Sequence, residues 1–380
     1  MVNRETTSEK RRLNLAVVIK RFVTTGGAER YAVETTRYLT RQGHRVALYA
    51  RQVQTGTADG LTFYPVPERW RFSSVVNSLA FALDAARMLA GRRYDAVISH
   101  ERGFSQDLAV IHTFSYRNSL ARLGWLKRLD RLYFSPRTWL HLYLEKHQMH
   151  SPQLVAVSQP IRQEIAALYG RQSGIQVVFP GVNLERFAPE STAACGQEQR
   201  LRIGAGTNEL LVLFVGTEFR RKGLDDLLSA IGDGIRLAVV GKGERLGHYR
   251  RRIRELDLEG QVYFAGLVDD VRPWYAAADV VVLPSRAEAF GMSVLEAMAC
   301  ARAVVVRRRA GVSELIESGR NGYVFEDPAE LGPLLVRLTD PELRRRLGEG
   351  ARRTALSHGW EVAGAALERL CYGFASRFSP

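Results

Sequence analysis

Short apolar runs alternate along this chain with segments patterned for helices, and that alternation constrains the fold more than any other feature. A run such as Leu210–Val215 or Val280–Leu283 is apolar at every position. A strand buried on both faces of a parallel sheet reads this way. In the first half the candidate strands are Leu13–Ile19, Arg45–Ala50, Leu61–Val66, Ala96–Ser99, Leu108–Ile111 and Leu154–Val157. In the second half they are Leu210–Val215, Leu237–Val240, Val262–Phe264, Val280–Leu283, Ala303–Val306 and Tyr323–Phe325. Ala28–Arg41, Ser74–Ala90 and Leu224–Ala230 read as intervening helices. Strand–helix repetition of this kind predicts α/β architecture with parallel sheets.

A chain of 380 residues is long for one core and comfortable for two. Phe179-Pro180-Gly181-Val182-Asn183, followed by Phe187-Ala188-Pro189, reads as the linker from its Pro and Gly content. The expected organisation is a flexible leader over 1–12, a first doubly wound domain over 13–179 and a second over 180–359, with a cleft between them. Ligands in such sheets bind beyond the carboxyl ends of the strands. No apolar run is long enough to span a bilayer, and the polar stretch 1–12 lacks the apolar segment of a secretory signal. Cys195, Cys300 and Cys371 fit no metal or disulfide spacing, which suits a reducing cytoplasm.

The net charge is +14. Met1–Pro180 carries 26 Lys and Arg against 13 Asp and Glu, whereas the remainder carries 28 against 27. The first half should therefore meet something anionic, unless its basic face is merely solvated.

Several features follow strands, where ligands are expected. Gly26-Gly27 after Leu13–Ile19 opens a helix and lets backbone N–H groups approach a phosphate, although a plain turn fits equally well. The spacing is not G-x-G-x-x-G. Arg220-Arg221-Lys222-Gly223 follows Leu210–Val215 and offers cations for a diphosphate, or a solvated loop. Gly241-Lys242-Gly243 and Gly266-Leu267 each follow a strand and could carry a nucleotide against backbone. Phe290-Gly291-Met292-Ser293 opens the helix that carries Glu296, and its positive end favours a phosphate. Glu296 in an apolar helix needs a polar partner. Glu288 lies just before that helix, where it can meet sugar hydroxyls. His100 and His112 end consecutive strands, and a histidine there can accept a proton near neutral pH. There is no D-x-D pair and no H-E-x-x-H. Charge on a diphosphate would then be neutralised by Arg220, Arg221, Lys222 and helix N-termini, with no metal cofactor.

Together these positions resemble the GT-B-fold glycosyltransferases of family 4, which are retaining and use nucleotide sugars. The likeness runs from Leu13 to about the C-terminus. It rests on Gly26-Gly27-Ala28-Glu29-Arg30, Pro180-Gly181-Val182-Asn183 with Arg186-Phe187, Arg221-Lys222-Gly223, Val240-Gly241-Lys242-Gly243, Phe264-Ala265-Gly266, and Glu288 to Glu296. The resemblance implies that Lys222 and Arg221 bind the donor diphosphate, Glu296 the ribose and Glu288 the donor sugar. It implies that Phe290 to Ser293 cradle sugar and phosphate, that Gly27 approaches the leaving diphosphate, and that His112 is the acceptor-side histidine. The family usually carries an Arg soon after the glycine at Gly216. Here Thr217 and Glu218 follow, and Arg220 or Arg221 stands in. A final helix over 360–380 is expected to return to the first domain. Within the family the chain is most similar to the lipopolysaccharide core α-glucosyltransferases that act on inner-core heptose, through Val215 to Gly223, though His112 stands where those carry aspartate.

Tyr116–His150 holds seven Lys and Arg against two acids, with aromatics interleaved. At about 100° per residue, Trp125, Leu126, Leu129, Leu132 and Tyr133 share one face and Lys127, Arg128 and Arg131 the other. A basic amphipathic helix of this kind suits an anionic membrane surface, and a core-packed helix with a wet basic face is the alternative. No RNA-binding signature is present, so nucleic acid is not an expected partner. The combined expectation is a metal-independent transferase that moves a hexose, glucose first, from a UDP-sugar to an anionic glycolipid or lipopolysaccharide-core acceptor. It would act in the cytoplasm, peripheral to the inner face of the plasma membrane. Another donor with a polysaccharide or lipid-linked acceptor, a sugar-nucleotide epimerase or hydrolase on the same fold, and a non-catalytic membrane-surface protein remain as alternatives.

Overall fold

The structure is a computed structural model. It describes residues 11–69, 73–121, 124–125, 130–131, 133 and 135–376. The chain divides into two compact units. Unit 1 comprises Met1–Ala156, Glu164–Val178 and Gly364–Pro380, and unit 2 comprises Val157–Gln163 and Phe179–Ala363.

Unit 1 contains β1 (Asn14–Val18), β2 (Arg21–Phe22), β3 (Arg45–Ala50), β4 (Gln52–Val53), β5 (Thr62–Pro65), β6 (Ala96–Ser99), β7 (Leu108–Ile111), β8 (Gln153–Ala156) and β9 (Ile175–Val177). Seven of these form one parallel sheet in the order β5-β3-β1-β6-β7-β8-β9, and β2 pairs with β4. From β1 the chain winds outward through β3 to β5, then crosses back to β6 and winds the other way. The switch point lies between β1 and β6, so the loops after those strands flank the crevice where ligands bind in such sheets. The edge strand β9 and the two-residue pair β2 and β4 were not expected from the sequence. They are too short, or too exposed, to carry an apolar pattern.

Unit 2 contains β10 (Leu210–Val215), β11 (Ile235–Val240), β12 (Val262–Gly266), β13 (Val280–Leu283), β14 (Ala303–Arg307) and β15 (Tyr323–Phe325). Their order is β12-β11-β10-β13-β14-β15, again parallel, with the switch point between β10 and β13. The two Rossmann-like α/β folds expected from the alternating pattern are therefore present. All-apolar strands have sheet faces covered on both sides. Val212, Phe214, Leu237, Val239, Val280, Val282 and Val305 form the centre of one core with Leu224, Leu227 and Leu331. Each such side chain contributes about 1.5–3 kcal/mol relative to exposure.

The helix Gly27–Arg41 buries Tyr31, Ala32, Thr35, Tyr38 and Leu39, an i, i+4, i+7 face that seals one side of the first sheet. The final helix, Trp360–Ala375, belongs to unit 1 from Gly364 onward. It lies so close to Tyr38 that a Cβ on Gly364 would stand 2.3 Å from the tyrosine ring. One turn later Glu368 accepts from His44 Nε2 at 3.1 Å and from the Tyr38 hydroxyl at 3.3 Å. Among the described residues no helix is long and apolar enough to cross a membrane.

The basic stretch is only partly described. Lys127 and Arg128, with Leu126, Leu129 and Leu132, lie outside the described residues. Trp125 and Tyr133 are exposed, at 70% and 75% of their surface, as are Trp139 and Tyr143 on the helix Pro136–Met149, and Arg131 is exposed with them. One of the two acids counted there is a buried anchor. Glu145 accepts from Arg102 at 3.0 Å, from the Tyr116 amide at 2.7 Å and from the Ser115 and Tyr169 hydroxyls. It thereby fixes the start of the helix Tyr116–Ala121.

Candidate active site

In unit 2 the polar side chains gather at the carboxyl ends of β10 and β13, on either side of the switch point. β10 ends at Val215, and the chain turns through Gly216 so tightly that a Cβ there would lie 2.3 Å from Cδ of Lys222. The missing side chain lets the lysine stem lie back across the loop. Glu218 takes a left-handed conformation, φ 58°, costly for a residue with a Cβ. That turn drives Phe219 into the core against Phe214, Tyr249 and Phe264. It also turns Arg221 and Lys222 toward β13.

Both cations converge on one carboxylate. Lys222 Nζ lies 3.1 Å from Glu288 Oε2 and Arg221 Nη1 lies 3.2 Å from the same oxygen. Arg221 also donates to the Ala287 carbonyl at 2.7 Å and pairs with Glu218. Ser285 Oγ donates to Glu288 at 3.5 Å. Burial pushes the Glu288 carboxyl upward, yet Lys222 and Arg221 outweigh it and hold the group below the ordinary carboxylate range. With Glu218 counted, the cluster holds two cations and two carboxylates and is close to neutral until an incoming anion adds to it. Arg220 is exposed and lines a cavity of about 660 Å³ together with Glu218, Arg221, His248 and Arg286. Of the two arginines left open by the sequence, the structure brings Arg221 to Glu288.

Beyond Glu288 the chain enters the helix Met292–Ala299 through Gly291, its N-cap, with no side chain capping the helix. Phe290 is buried, and Met292 and Ser293 form the first turn, whose N–H groups have no intrahelical partner. The corner before the helix is braced by Asp226, which pairs with Arg286 and Arg307 at 2.8 Å each. Glu296 is buried, and the polar partner it requires includes the Tyr275 hydroxyl, which donates at 2.9 Å. Nothing in the sequence marked Tyr275, because it sits in a different element, the helix Arg272–Ala277. Gly241 and Gly266 end the adjacent strands. Gly241 N donates to the Gly266 carbonyl at 2.7 Å, and a Cβ on Gly241 would meet the Gly216 carbonyl at 2.1 Å. Lys242 and Leu267 project from these loops and are exposed.

In unit 1 Gly26 caps the helix Gly27–Arg41 at φ 95°, with Gly27 exposed at its first turn. Lys20 after β1 pairs with Glu101 after β6 at 3.1 Å. The two histidines at consecutive strand ends meet. His100 Nδ1 and His112 Nε2 are 3.0 Å apart, and the rings stack at 5.3 Å. Burial pushes the His112 imidazole down to about 3, and burial followed by the His112 charge takes His100 well below its usual value. The sequence expectation of a proton acceptor poised near neutrality is thereby corrected, since neither ring holds a second proton at neutral pH. The same shift makes the fold acid-sensitive. An unfolded histidine, near 6.5, binds a proton that folded His112 refuses, so stability is lost as pH falls below 6.5. Between pH 7 and 5 the loss from His112 is about 2 kcal/mol. Urea midpoints at both pH values should show it, and His112→Phe should flatten the dependence.

Among the described residues no group of three or more His, Cys, Asp or Glu is arranged to hold a metal ion.

Comparison with known proteins places these features in context. Residues 25–186 match the family profile described as Glycosyltransferase Family 4, and residues 209–340 match that of Glycosyl transferases group 1. A D-inositol 3-phosphate glycosyltransferase of Frankia alni is 30% identical over 389 residues, which is 90% of this chain and 93% of that protein. The D-inositol 3-phosphate glycosyltransferase 2 of Catenulispora acidiphila is 33% identical over 234 residues. That match takes in 56% of this chain and spans about half of the relative, 54% of its length. Among solved structures, WaaG, a glycosyltransferase involved in lipopolysaccharide biosynthesis, superposes with a TM-score of 0.80 at 20% identity, covering 94% of this chain and 100% of that one. Anabaena HepE in complex with UDP-glucose superposes with a TM-score of 0.72 at 16% identity, covering 97% of this chain and 100% of that one.

Proposed function

From the premise that this chain belongs to the family 4, group 1 glycosyltransferases, we propose that it is a retaining hexosyltransferase that takes glucose from a UDP-sugar. The observation that carries the reading is the convergence of Lys222 and Arg221 on Glu288 beside the open N-terminus of the helix Met292–Ala299. A diphosphate entering there exchanges its charge for the Glu288 contact with both cations and gains the helix N–H groups. Glu288, so released, hydrogen-bonds sugar hydroxyls, and Glu296 takes the ribose diol. Gly241, Lys242, Gly266 and Leu267 flank the nucleotide. No metal cofactor is needed, because the cations and the helix end neutralise the leaving group. The departing diphosphate takes the proton of the attacking hydroxyl. Neutral His112 orients the acceptor rather than storing a proton, and Gly26 and Gly27 offer N–H groups on the acceptor-binding unit.

The acceptor in this reading is an anionic glycolipid of the lipopolysaccharide-core type, presented at the cytoplasmic face of the membrane. Support comes from the cation excess of the first half, from the exposed Trp125, Tyr133, Trp139 and Tyr143, and from the fold likeness to WaaG. Trp125, Lys127, Arg128 and Arg131 are assigned to this surface, each cation near an anionic leaflet contributing about 1 kcal/mol. A second reading, a small phosphorylated polyol as acceptor, is favoured by the relatives named for D-inositol 3-phosphate.

The test is a transfer assay with a panel of nucleotide sugars and three acceptor conditions. These are a lipopolysaccharide-core glycolipid in anionic vesicles, the same in neutral vesicles, and inositol 3-phosphate in solution. Glucose transfer from UDP-glucose, faster on anionic vesicles, is the expected result. Equal rates on both vesicle types remove the membrane claim, and transfer to inositol 3-phosphate alone reassigns the acceptor. Rapid turnover of a UDP-sugar with no acceptor present would sink the transferase reading in favour of an epimerase or hydrolase.

A further inference from the structure

We propose that His100 is a positioning residue for His112, fixing the tautomer and the ring angle that His112 presents to the acceptor. This rests on the acceptor-side reading of His112. The two rings are placed by neighbouring strands. β6 lies between β1 and β7, and His100 follows β6 directly, with its amide donating to the Val18 carbonyl of β1 at 2.9 Å. His112 follows β7 directly. The His100 backbone is thus tied to the switch-point strand, and the His100 and His112 rings stack with an interplanar angle of 21°. Tyr31, fully buried on the helix Gly27–Arg41, closes the third side. Its ring meets His112 edge-on at 5.1 Å and His100 at 5.9 Å.

Chemistry makes this packing directional. A neutral imidazole carries one N–H and one lone pair. His100 Nδ1 and His112 Nε2 stand 3.0 Å apart, so a hydrogen bond between them holds one proton. If His100 donates it, the proton of His112 must sit on Nδ1, and that nitrogen becomes a donor. If His112 donates it, Nδ1 keeps its lone pair and becomes an acceptor for a hydroxyl. The pair therefore couples the far nitrogen of His112 to the tautomer of His100, so a change at His100 changes the kind of hydrogen bond that His112 makes. Without His100 the ring would exchange between both forms and lose one of its walls. Burial strengthens the constraint, because protonating either ring to escape the choice is unfavourable.

The experiment compares wild type, His100→Leu, His100→Asn and His112→Ala by steady-state kinetics per folded protein, and the three that keep His112 by nitrogen NMR of its ring. His100→Leu should lower kcat about ten- to a hundredfold, the scale of a misplaced reacting partner, and leave the donor KM within about twofold. In the same variant the His112 nitrogen shifts should move from one tautomer to a mixture. Asparagine places an amide atom near the position of Nδ1, so His100→Asn should restore most of kcat and the single tautomer. A folded His100→Leu enzyme with wild-type kcat and tautomer overturns the proposal, as does a loss that His100→Asn fails to recover. Should His100→Leu not fold, His100→Gln replaces it, since its amide reaches the Nε2 position instead. An Asn enzyme no more active than the Gln enzyme then overturns the proposal. A His112→Ala enzyme with full kcat removes the acceptor-side reading itself. An impaired His112→Ala enzyme beside a fully active His100→Leu removes this inference alone.

Discussion

Lys222→Ala is expected to lower kcat/KM for sugar transfer by about a hundred- to a thousandfold, the effect of removing one preorganised partner of a developing negative charge. Lys222 is well placed for that effect. Its side chain is largely buried, lies along Gly216 and ends 3.1 Å from Glu288. A cation held in a partly dry site by a stem packed along the backbone needs little reorganisation as negative charge develops on a bound diphosphate. Arg221 is more exposed and shares its guanidinium among Glu218, Ala287 and Glu288. Its loss, in Arg221→Ala, should cost less, about tenfold, with more of the change in donor KM. Glu288→Gln should also reduce kcat, and combining it with Lys222→Ala should be far from additive, because the two side chains contact each other. Steady-state kinetics of the singles and the double check the whole set. Full activity in Lys222→Ala would remove the diphosphate assignment.

Glu368→Ala should destabilise unit 1 by about 3 kcal/mol, the scale of truncating a buried side chain and leaving two buried donors without their acceptor. His44 Nδ1 accepts the Leu13 amide at 3.1 Å, so that nitrogen carries a lone pair and Nε2 carries the proton. The Nε2–H then points at the Glu368 carboxylate, with both side chains almost fully buried. The Tyr38 hydroxyl donates to the other carboxylate oxygen. Alanine takes the acceptor from both donors and leaves a void beneath the final helix. Glu368→Gln keeps the shape and one carbonyl acceptor, so it should cost about half as much. Chemical denaturation of the three proteins gives the comparison, with near-ultraviolet circular dichroism reporting Tyr38 and Tyr372, whose ring packs edge-on against His44 at 5.8 Å.

These two clusters mark what the sequence could and could not disclose. The strands that position the donor side were legible because a parallel strand covered on both faces has to be apolar throughout, as Leu210–Val215 and Val280–Leu283 are. Lys222 and Glu288 could be named because each lies in the loop that follows such a strand. His100 and His112 could be paired for the same reason, although their titration could not, since it depends on burial that no local pattern records. Arg221 could not be separated from Arg220. The choice turns on the left-handed Glu218, an arrangement a non-glycine residue rarely adopts. His44 and Glu368 are 324 positions apart, and neither belongs to a motif. Tyr275 beneath Glu296 and Glu145 beneath the basic stretch were hidden in the same way. Their partners arrive from other elements, and period and spacing carry no information about such meetings.

The fastening of Gly216, Gly241 and Gly266 has a consequence for how this protein can diverge. Gly216 N donates to the Val240 carbonyl at 2.9 Å, Gly241 N donates to the Gly266 carbonyl at 2.7 Å, and Gly241 has no room for a methyl group. The backbone beneath the proposed nucleotide site is interlocked at these loops, so a larger residue at Gly216 or Gly241 would push on Lys222 or on the Gly216 carbonyl, whereas at Gly266 a side chain meets open space and is opposed only by the left-handed φ of 73°. New donor preferences therefore have few routes. Under the proposed donor placement they come from side chains that leave this backbone intact, and Lys242 and Leu267, exposed at the loop tips, are two such positions. Libraries aimed at a different nucleotide sugar will lose the fewest members to misfolding if they randomise those two tips and leave the glycines alone.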